Sequence, residues 1–488
     1  MASTAAVASS LSVPIRTRES TLVTWIVIAF LAWMPLCTPV SLLAWENHLV
    51  SVPVAQAILL VKDGWAAGLI AVLFLRHIRE IRFRWFDWCA LAYAALVVVY
   101  SVVPSLLGSH LSALSVIASA RELLVPVELY GLGRLAGYAG VSTATVVKAF
   151  LVIAAVAAAF TVAAFVLEPG AFWQNTYELV NFIRVVQGVP TAWTTWQISL
   201  LTMYGSFGEA IRAVGPFSHP VGTGVYFAMP LTLVVCAAWL SSRRQKVAMV
   251  TVMIGVVLFA LAVITPISRG TWIGFVGAVV VCGAVLHRYR LSVLTVVVFA
   301  AFIVLVPPFS WSVWASVAGN DSSTNAHTQT VQKDVTHVLT TNPVVGPKVG
   351  AGDSAGQNYT AGDDAAGVGE NMYLTAYASV GPLGALAFVA WLGALLVELF
   401  GRVRSGIPAW ISIGVAAGLL AEVAAGMTAS TLMRFTTSAS MMLLVGLVVA
   451  QPTSGSRIPD LAALRHPRQW FRSRGVTTDD GLPDPTEG

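Results

Sequence analysis

The stretch "GENMYLTAYASVGPLGALAFVAWLGALLVELF", Gly369–Phe400, joins a polar segment to an apolar one. The residues before it, "GAGDSAGQNYTAGDDAAGVG", Gly350–Gly369, offer nothing from which a core is built. From Met372 onward the run is apolar and long enough for a membrane helix, which needs about 20 residues. A glutamate, Glu370, stands at the seam. Acids are common in water-facing loops, so a solvated charge is the plain reading. A carboxylate facing a reaction is the sharper one.

The same apolar character runs through the whole chain. Its 488 residues are 57% hydrophobic and 10% charged, against about 25% charged in soluble domains. This composition excludes a soluble enzyme and predicts an all-α polytopic membrane protein. Twelve segments have the character of a span, at 21–43, 52–75, 85–103, 116–138, 143–167, 216–240, 247–264, 271–286, 291–308, 372–400, 408–427 and 432–450. The organisation expected is a cytoplasmic N-terminal tail over 1–20, a bundle of about 12 transmembrane helices over 21–450, and a largely disordered cytoplasmic tail over 451–488. The first apolar run is too long for a signal-peptide core and is read as a retained span. Cys37, Cys89, Cys236 and Cys282 all fall in apolar runs, which suggests neither a disulfide framework nor a zinc site.

Basic residues give the orientation. With twelve spans, "RHIREIRFR", "SSRRQK", "HRYR", "GRVRSG" and "RHPRQWFRSR" fall on one side, which holds 20 of the 28 Lys and Arg residues. Cytoplasmic loops carry this excess, so both termini are expected inside, in a cytoplasmic membrane. The excess is thus accounted for by the bilayer, and no nucleic-acid partner is expected. Two long segments then lie outside. The first, 168–215, carries Trp173, Trp193 and Trp196, which suit the membrane interface, and short surface helices are expected there. The second, 309–371, begins with helical spacing at Val331, Val335 and Val338.

The exceptions to the charge rule are informative. Arg121, Arg212, Arg269 and Arg434 fall on the outer face or in the outer half of the spans. Ionisable groups at membrane depth are costly and mark function by default. One such arginine alone is equally well read as snorkelling to headgroups or pairing with an acid, as Arg121 with Glu122 or Glu128. Four on one face point to an anionic ligand, and the guanidinium fork suits phosphate. His219, in "FSHP", lies near Arg212 in sequence; taken alone it is read as a structural histidine.

Four stretches together resemble the O-antigen ligase and O-antigen polymerase superfamily: "RAVGPFSHPVGTGVYFAMPL", "ISRGTWIGF", "NPVVGPKVGAG" and "ENMYLTAYASVGPLG". In the last, Asn371, Gly381 and Gly384 match the spacing of the family signature. The likeness covers about 205–450. It implies a fold like the membrane-embedded glycosyltransferases of the C type and an active site facing outside or the periplasm. The reaction implied is transfer of a glycan from a polyprenyl-diphosphate donor to an acceptor hydroxyl on a glycan or glycolipid. Arg212 and Arg269, with Arg121 and Arg434, would bind the diphosphate, and no metal or other cofactor is expected. The family has histidine where this chain has Glu370, so Glu370 is the candidate general base. His219, Asn371, Tyr373 and Tyr377 are the candidates for positioning acceptor or sugar. Beyond lipid and these substrates no partner is expected, and the chain is expected to act as a monomer. The competing reading is a transporter or flippase for a lipid-linked or anionic solute, with Lys62, Asp63 and Glu422 as pathway groups.

Overall fold

The structure is a computed structural model. It describes residues 18–106, 113–167, 179–186, 202–205, 208–217, 219–240, 246–317, 328–329, 331–332, 335–336, 340, 371–402, 407–429 and 431–451. Glu370, both chain tails and most of 318–370 lie outside these residues.

Apolar runs become helices because lipid offers no partner to a backbone N–H or C=O, so each segment must satisfy its own. The helices are α1 (Arg18–Glu46), α2 (Val52–His77), α3 (Trp85–Leu106), α4 (Ala113–Tyr138), α5 (Thr143–Leu167) and the short α6 (Leu179–Val185). They continue as α7 (Pro220–Leu240), α8 (Lys246–Ile264), α9 (Arg269–Val285), α10 (Tyr289–Leu305), α11 (Pro307–Val317), α12 (Met372–Gly401), α13 (Ala409–Ala425) and α14 (Phe435–Ala450). Six of them, α1, α2, α3, α5, α7 and α12, are long and apolar enough to cross a membrane, and α8, α9, α10, α13 and α14 are shorter apolar helices. The chain is a multi-pass membrane protein.

Small residues set the helix contacts, as close packing in lipid requires. α14 runs parallel to α4: a Cβ on Gly133 would lie 2.1 Å from the Leu443 carbonyl, and one on Gly137 2.1 Å from Ala450 Cβ. α13 packs between α7 and α9, with Gly414 against Leu233 and Gly274 against the Ala421 carbonyl. α3 packs on α12 through Tyr93 and Phe388, whose rings are 5.0 Å apart. At one end of the bundle, charges tie the helices together. Arg134 of α4 donates to Asp87 of α3 at 2.9 Å and to the Val449 carbonyl of α14 at 2.8 Å. Arg402, after α12, donates to Glu398 at 2.7 Å. The opposite end holds the candidate site.

Two expectations change. Segment 168–215 is not purely helical: besides α6 it contains an antiparallel ribbon of β1 (Thr202–Gly205) and β2 (Gly208–Ile211), paired Thr202↔Ile211 through Gly205↔Gly208. The run 372–400 is not one straight helix either. It breaks at Val380 and Gly381, where Gly381 has φ 68°, just before Pro382. Proline lacks the N–H that would continue the ladder, and Gly381 supplies the left-handed turn. Gly384 leaves room for Val380, whose Cγ2 would lie 2.4 Å from a Cβ there. This accounts physically for "SVGPLG".

The α4–α14 contact generates a stability test. A Cβ on Gly446 would lie 2.3 Å from the Tyr130 carbonyl, whereas Gly393 has nothing within 4 Å. Gly446→Ala should destabilise the detergent-solubilised protein by about 1–3 kcal/mol, the usual cost of overpacking. Gly393→Ala should be neutral or stabilising, because alanine favours helix by about 1 kcal/mol. Thermal unfolding followed by size-exclusion profile checks both.

Candidate anion-binding site

The site is built on the turn "TPISR", Thr265–Arg269, between α8 and α9. Arg212 is buried, and its Nε donates to the Pro266 carbonyl at 2.8 Å. The next N–H, of Ala213, donates to the Thr265 carbonyl at 3.1 Å. These two bonds stitch the entry to α7 onto the exit from α8. Between them and α9, Ile267 is buried with φ 50°. A β-branched residue there is a genuine outlier, and such strain, about 1–3 kcal/mol, persists only where the surroundings impose it.

The chain then turns at Gly215, φ 57°, where a Cβ would come within 2.7 Å of Thr161 Oγ1 and 2.8 Å of Thr223 Cγ2. Thr223 Oγ1 donates to the Val214 carbonyl and lies 2.9 Å from the His219 carbonyl, which fixes the loop over the first turn of α7. His219 is half-buried, and its Nδ1 accepts the Gly222 N–H at 3.4 Å. In the neutral ring that bond leaves the proton on Nε2. Both the Arg434 and the Arg212 guanidiniums act electrostatically on this ring.

Arg434 is the N-cap residue of α14, and its carbonyl accepts from Ser438 Oγ at 2.9 Å and Thr437 Oγ1 at 3.1 Å. Glu122 of α4 is the carboxylate whose charge acts on it. Arg269 is the first residue of α9, and its Nη1 donates to the Ser312 carbonyl of α11 at 3.4 Å. The first turns of α7 and α9 touch: a Cβ on Gly224 would lie 3.3 Å from both Ser268 and Thr271.

The structure therefore gathers Arg212 and Arg434 around His219 and brings Arg269 to the turn that holds Arg212. Arg121 is set apart. It faces α2, where its Nε donates to Asp63 Oδ1 at 2.8 Å. An ion pair was one plain reading of this arginine; its hydrogen-bonded partner is Asp63, and its charge also acts on Glu128. Adjacent helical residues point about 100° apart, so Glu122 turns toward Arg434 while Arg121 turns away. Asp63 also lies 3.6 Å from Lys62.

Asn371 is the N-cap of α12. Its Oδ1 accepts the Tyr373 and Leu374 N–H groups at 2.9 and 3.1 Å, and its Nδ2 donates to the Met427 carbonyl at 2.9 Å. Tyr373 donates its hydroxyl to the Val423 carbonyl at 2.6 Å. In this state both side chains tie α12 to α13. Tyr377 is half-buried beside Ala378. Glu370 lies outside the described residues; α12 begins at Met372, with Asn371 as its N-cap.

Glu122 is the site neighbour that sequence reasoning missed. The signal was present, because Gly133 and Gly137 mark a close helix contact. Glu122 stands eleven residues before Gly133, about three turns, and so on the same face.

An anion fits this end of the bundle chemically: Arg212, Arg269 and Arg434 stand at the entries to α7, α9 and α14, and the charges of Arg212 and Arg434 act on His219. The fold and site define a multi-pass, all-α membrane protein with a cationic cluster at one end of its bundle. The chain matches no protein-family model and no curated protein.

Asn371→Ala should cost about 1–2 kcal/mol of stability through loss of the cap and should loosen α12 from α13. Asn371→Asp keeps the cap acceptor and loses only the donor to Met427, so it should cost less. Thermal melts of the purified variants check the order.

Proposed function

We propose that the protein is a lipid-linked glycan transferase of the O-antigen ligase and polymerase type, with twelve spans and its arginine cluster facing the outside of a cytoplasmic membrane. The observation that carries this reading is that Arg212, Arg269 and Arg434 stand together at one end of the bundle, at the entries to α7, α9 and α14. Guanidiniums at that depth suit the diphosphate of a polyprenyl donor. In the reaction the acceptor hydroxyl attacks C1 of the donor sugar. The bond from C1 to the phosphate oxygen breaks, and polyprenyl diphosphate leaves with the electron pair. The hydroxyl proton passes to a base, the role proposed for Glu370. A carboxylate serves there if partial burial raises its proton affinity. Arginines offset the diphosphate charge without a metal in this scheme.

The test is transfer by purified protein in nanodiscs, given a glycosylated undecaprenyl diphosphate and an acceptor glycan. Arg212→Ala should raise the donor KM about 10–100-fold, the worth of a charged hydrogen bond. Glu370→Gln should lower turnover about 10²–10⁴-fold with donor binding unchanged. A chelator should leave the rate unaltered. Normal turnover in Glu370→Gln would return Glu370 to the plain reading of a solvated acid.

A second reading, a carrier for an anionic or lipid-linked solute, is favoured by the ion-paired Lys62, Asp63 and Arg121 inside α2 and α4. Movement of labelled donor across the bilayer without product would support it over the transferase.

A further inference from the structure

The connection from α2 to α3, "RHIREIRFR", Arg76–Arg84, carries four arginines and one acid, Glu80. It lies at the end of the bundle that holds Arg134, opposite the candidate site. The 26 residues of α2 rise about 39 Å, close to the thickness of a bilayer with its headgroups. The connection is therefore level with lipid headgroups.

Two of its arginines are occupied. Arg76 donates to Glu19 at 2.6 Å, and Arg84 donates to Glu398 at 3.3 Å. Arg79 and Arg82 are exposed and make no ion pair among the described residues. The backbone that carries Arg82 is nonetheless fixed. The Tyr138 hydroxyl accepts the Arg82 N–H at 3.1 Å and donates to the Arg82 carbonyl at 3.0 Å. Arg134 donates to that carbonyl at 3.3 Å and is itself held by Asp87. Asp87 also accepts the Arg84 N–H at 2.8 Å. A ligand at Arg82 then immobilises a side chain but little backbone, which lowers the cost of binding.

The groups beside these arginines are apolar. Phe83 and Trp88 are 50% and 60% exposed, and their rings stand 5.4 Å apart. Such rings suit the level of the headgroups. Leu75 and Ile78, on the same connection, are exposed as well. Free phosphate engages guanidiniums alone. A phospholipid engages both parts, with its phosphate on the guanidinium forks and its glycerol and upper chains against the rings.

We infer that Arg79 and Arg82, with the Phe83 and Trp88 rings, form a site for the headgroup of an anionic phospholipid. The site is separate from the cluster at Arg212 and from the Asp63 ion pair, so it belongs equally to a transferase or a carrier. Plain attraction of lipid to a basic face makes a different forecast: the loss of any two arginines from that face would matter alike. Arg288 and Arg290, at the start of α10 and the same end of the bundle, are exposed and supply this control.

The test titrates phosphatidylglycerol, phosphatidylcholine and inorganic phosphate onto the full chain in neutral detergent, with bound lipids counted by native mass spectrometry. Wild type should bind phosphatidylglycerol in preference to phosphatidylcholine, and phosphate should not displace it. Arg79→Gln with Arg82→Gln should weaken phosphatidylglycerol about 10–30-fold. Arg288→Gln with Arg290→Gln should leave it as in wild type. Trp88→Leu, which changes no charge, should weaken it as well. Equal loss in the two double variants, no preference in wild type, an unaltered affinity in Trp88→Leu, or displacement by phosphate would each overturn the inference. Melting of every variant with wild type in phosphatidylcholine shows that it is folded. Were the Arg79 and Arg82 double variant unfolded, Arg82→Lys would decide in its place: it keeps the charge and loses the fork, and is expected to weaken phosphatidylglycerol in part.

Discussion

A guanidinium in an apolar bundle needs hydrogen-bond acceptors, and the bond from Arg212 Nε to the Pro266 carbonyl supplies one. The candidate site depends on this contact. It joins the α8–α9 turn to the segment entering α7, and the same turn launches α9 at Arg269. The strain at Ile267, φ 50° in a buried β-branched residue, is consistent with a turn held by what surrounds it. Replacing the arginine removes a charge and also unfastens the two helix entries from each other.

The two ends of the bundle use arginine differently. At one end, Arg134 with Asp87 and Arg402 with Glu398 form ion pairs that lock α3, α4, α12 and α14. At the other, the hydrogen bonds of Arg212 and Arg269 described here go to backbone carbonyls, while Arg434 answers to Glu122 across the α4–α14 contact. The glycine-lined contact at Gly133 and Gly446 serves both ends. It brings Arg134 to the Val449 carbonyl and sets the parallel register that puts Glu122 opposite Arg434.

Much of the fold was legible in the sequence because a single strong signal writes it. Apolar runs such as 143–167 and 372–400 have few other ways to exist in lipid, and they appear as α5 and α12 within a residue of the expected bounds. Local departures were harder. The break at Gly381–Pro382 carried a readable signal in its Gly-Pro pair, but the hydropathy of the run hides it. The ribbon at 202–211 carries no clear alternation, so its pairing was not readable. Partners distant in sequence were not legible at all. Arg121 of α4 finds Asp63 on α2. The amide of Asn371, matched by spacing to a family signature, caps α12 and holds Met427. That Arg212, Arg269 and Arg434 belong to one face was an expectation from the charge rule. Their arrangement is a property of helix register, which no single segment records.

The most direct measurement is an electron cryomicroscopy structure of the full chain in nanodiscs with undecaprenyl diphosphate. The account predicts the diphosphate within hydrogen-bond distance of Arg212 and Arg434, with His219 beside it. A head group bound at the opposite end, beside Arg134 and Arg402, or a bundle whose arginine cluster stays empty at saturating ligand, would contradict it.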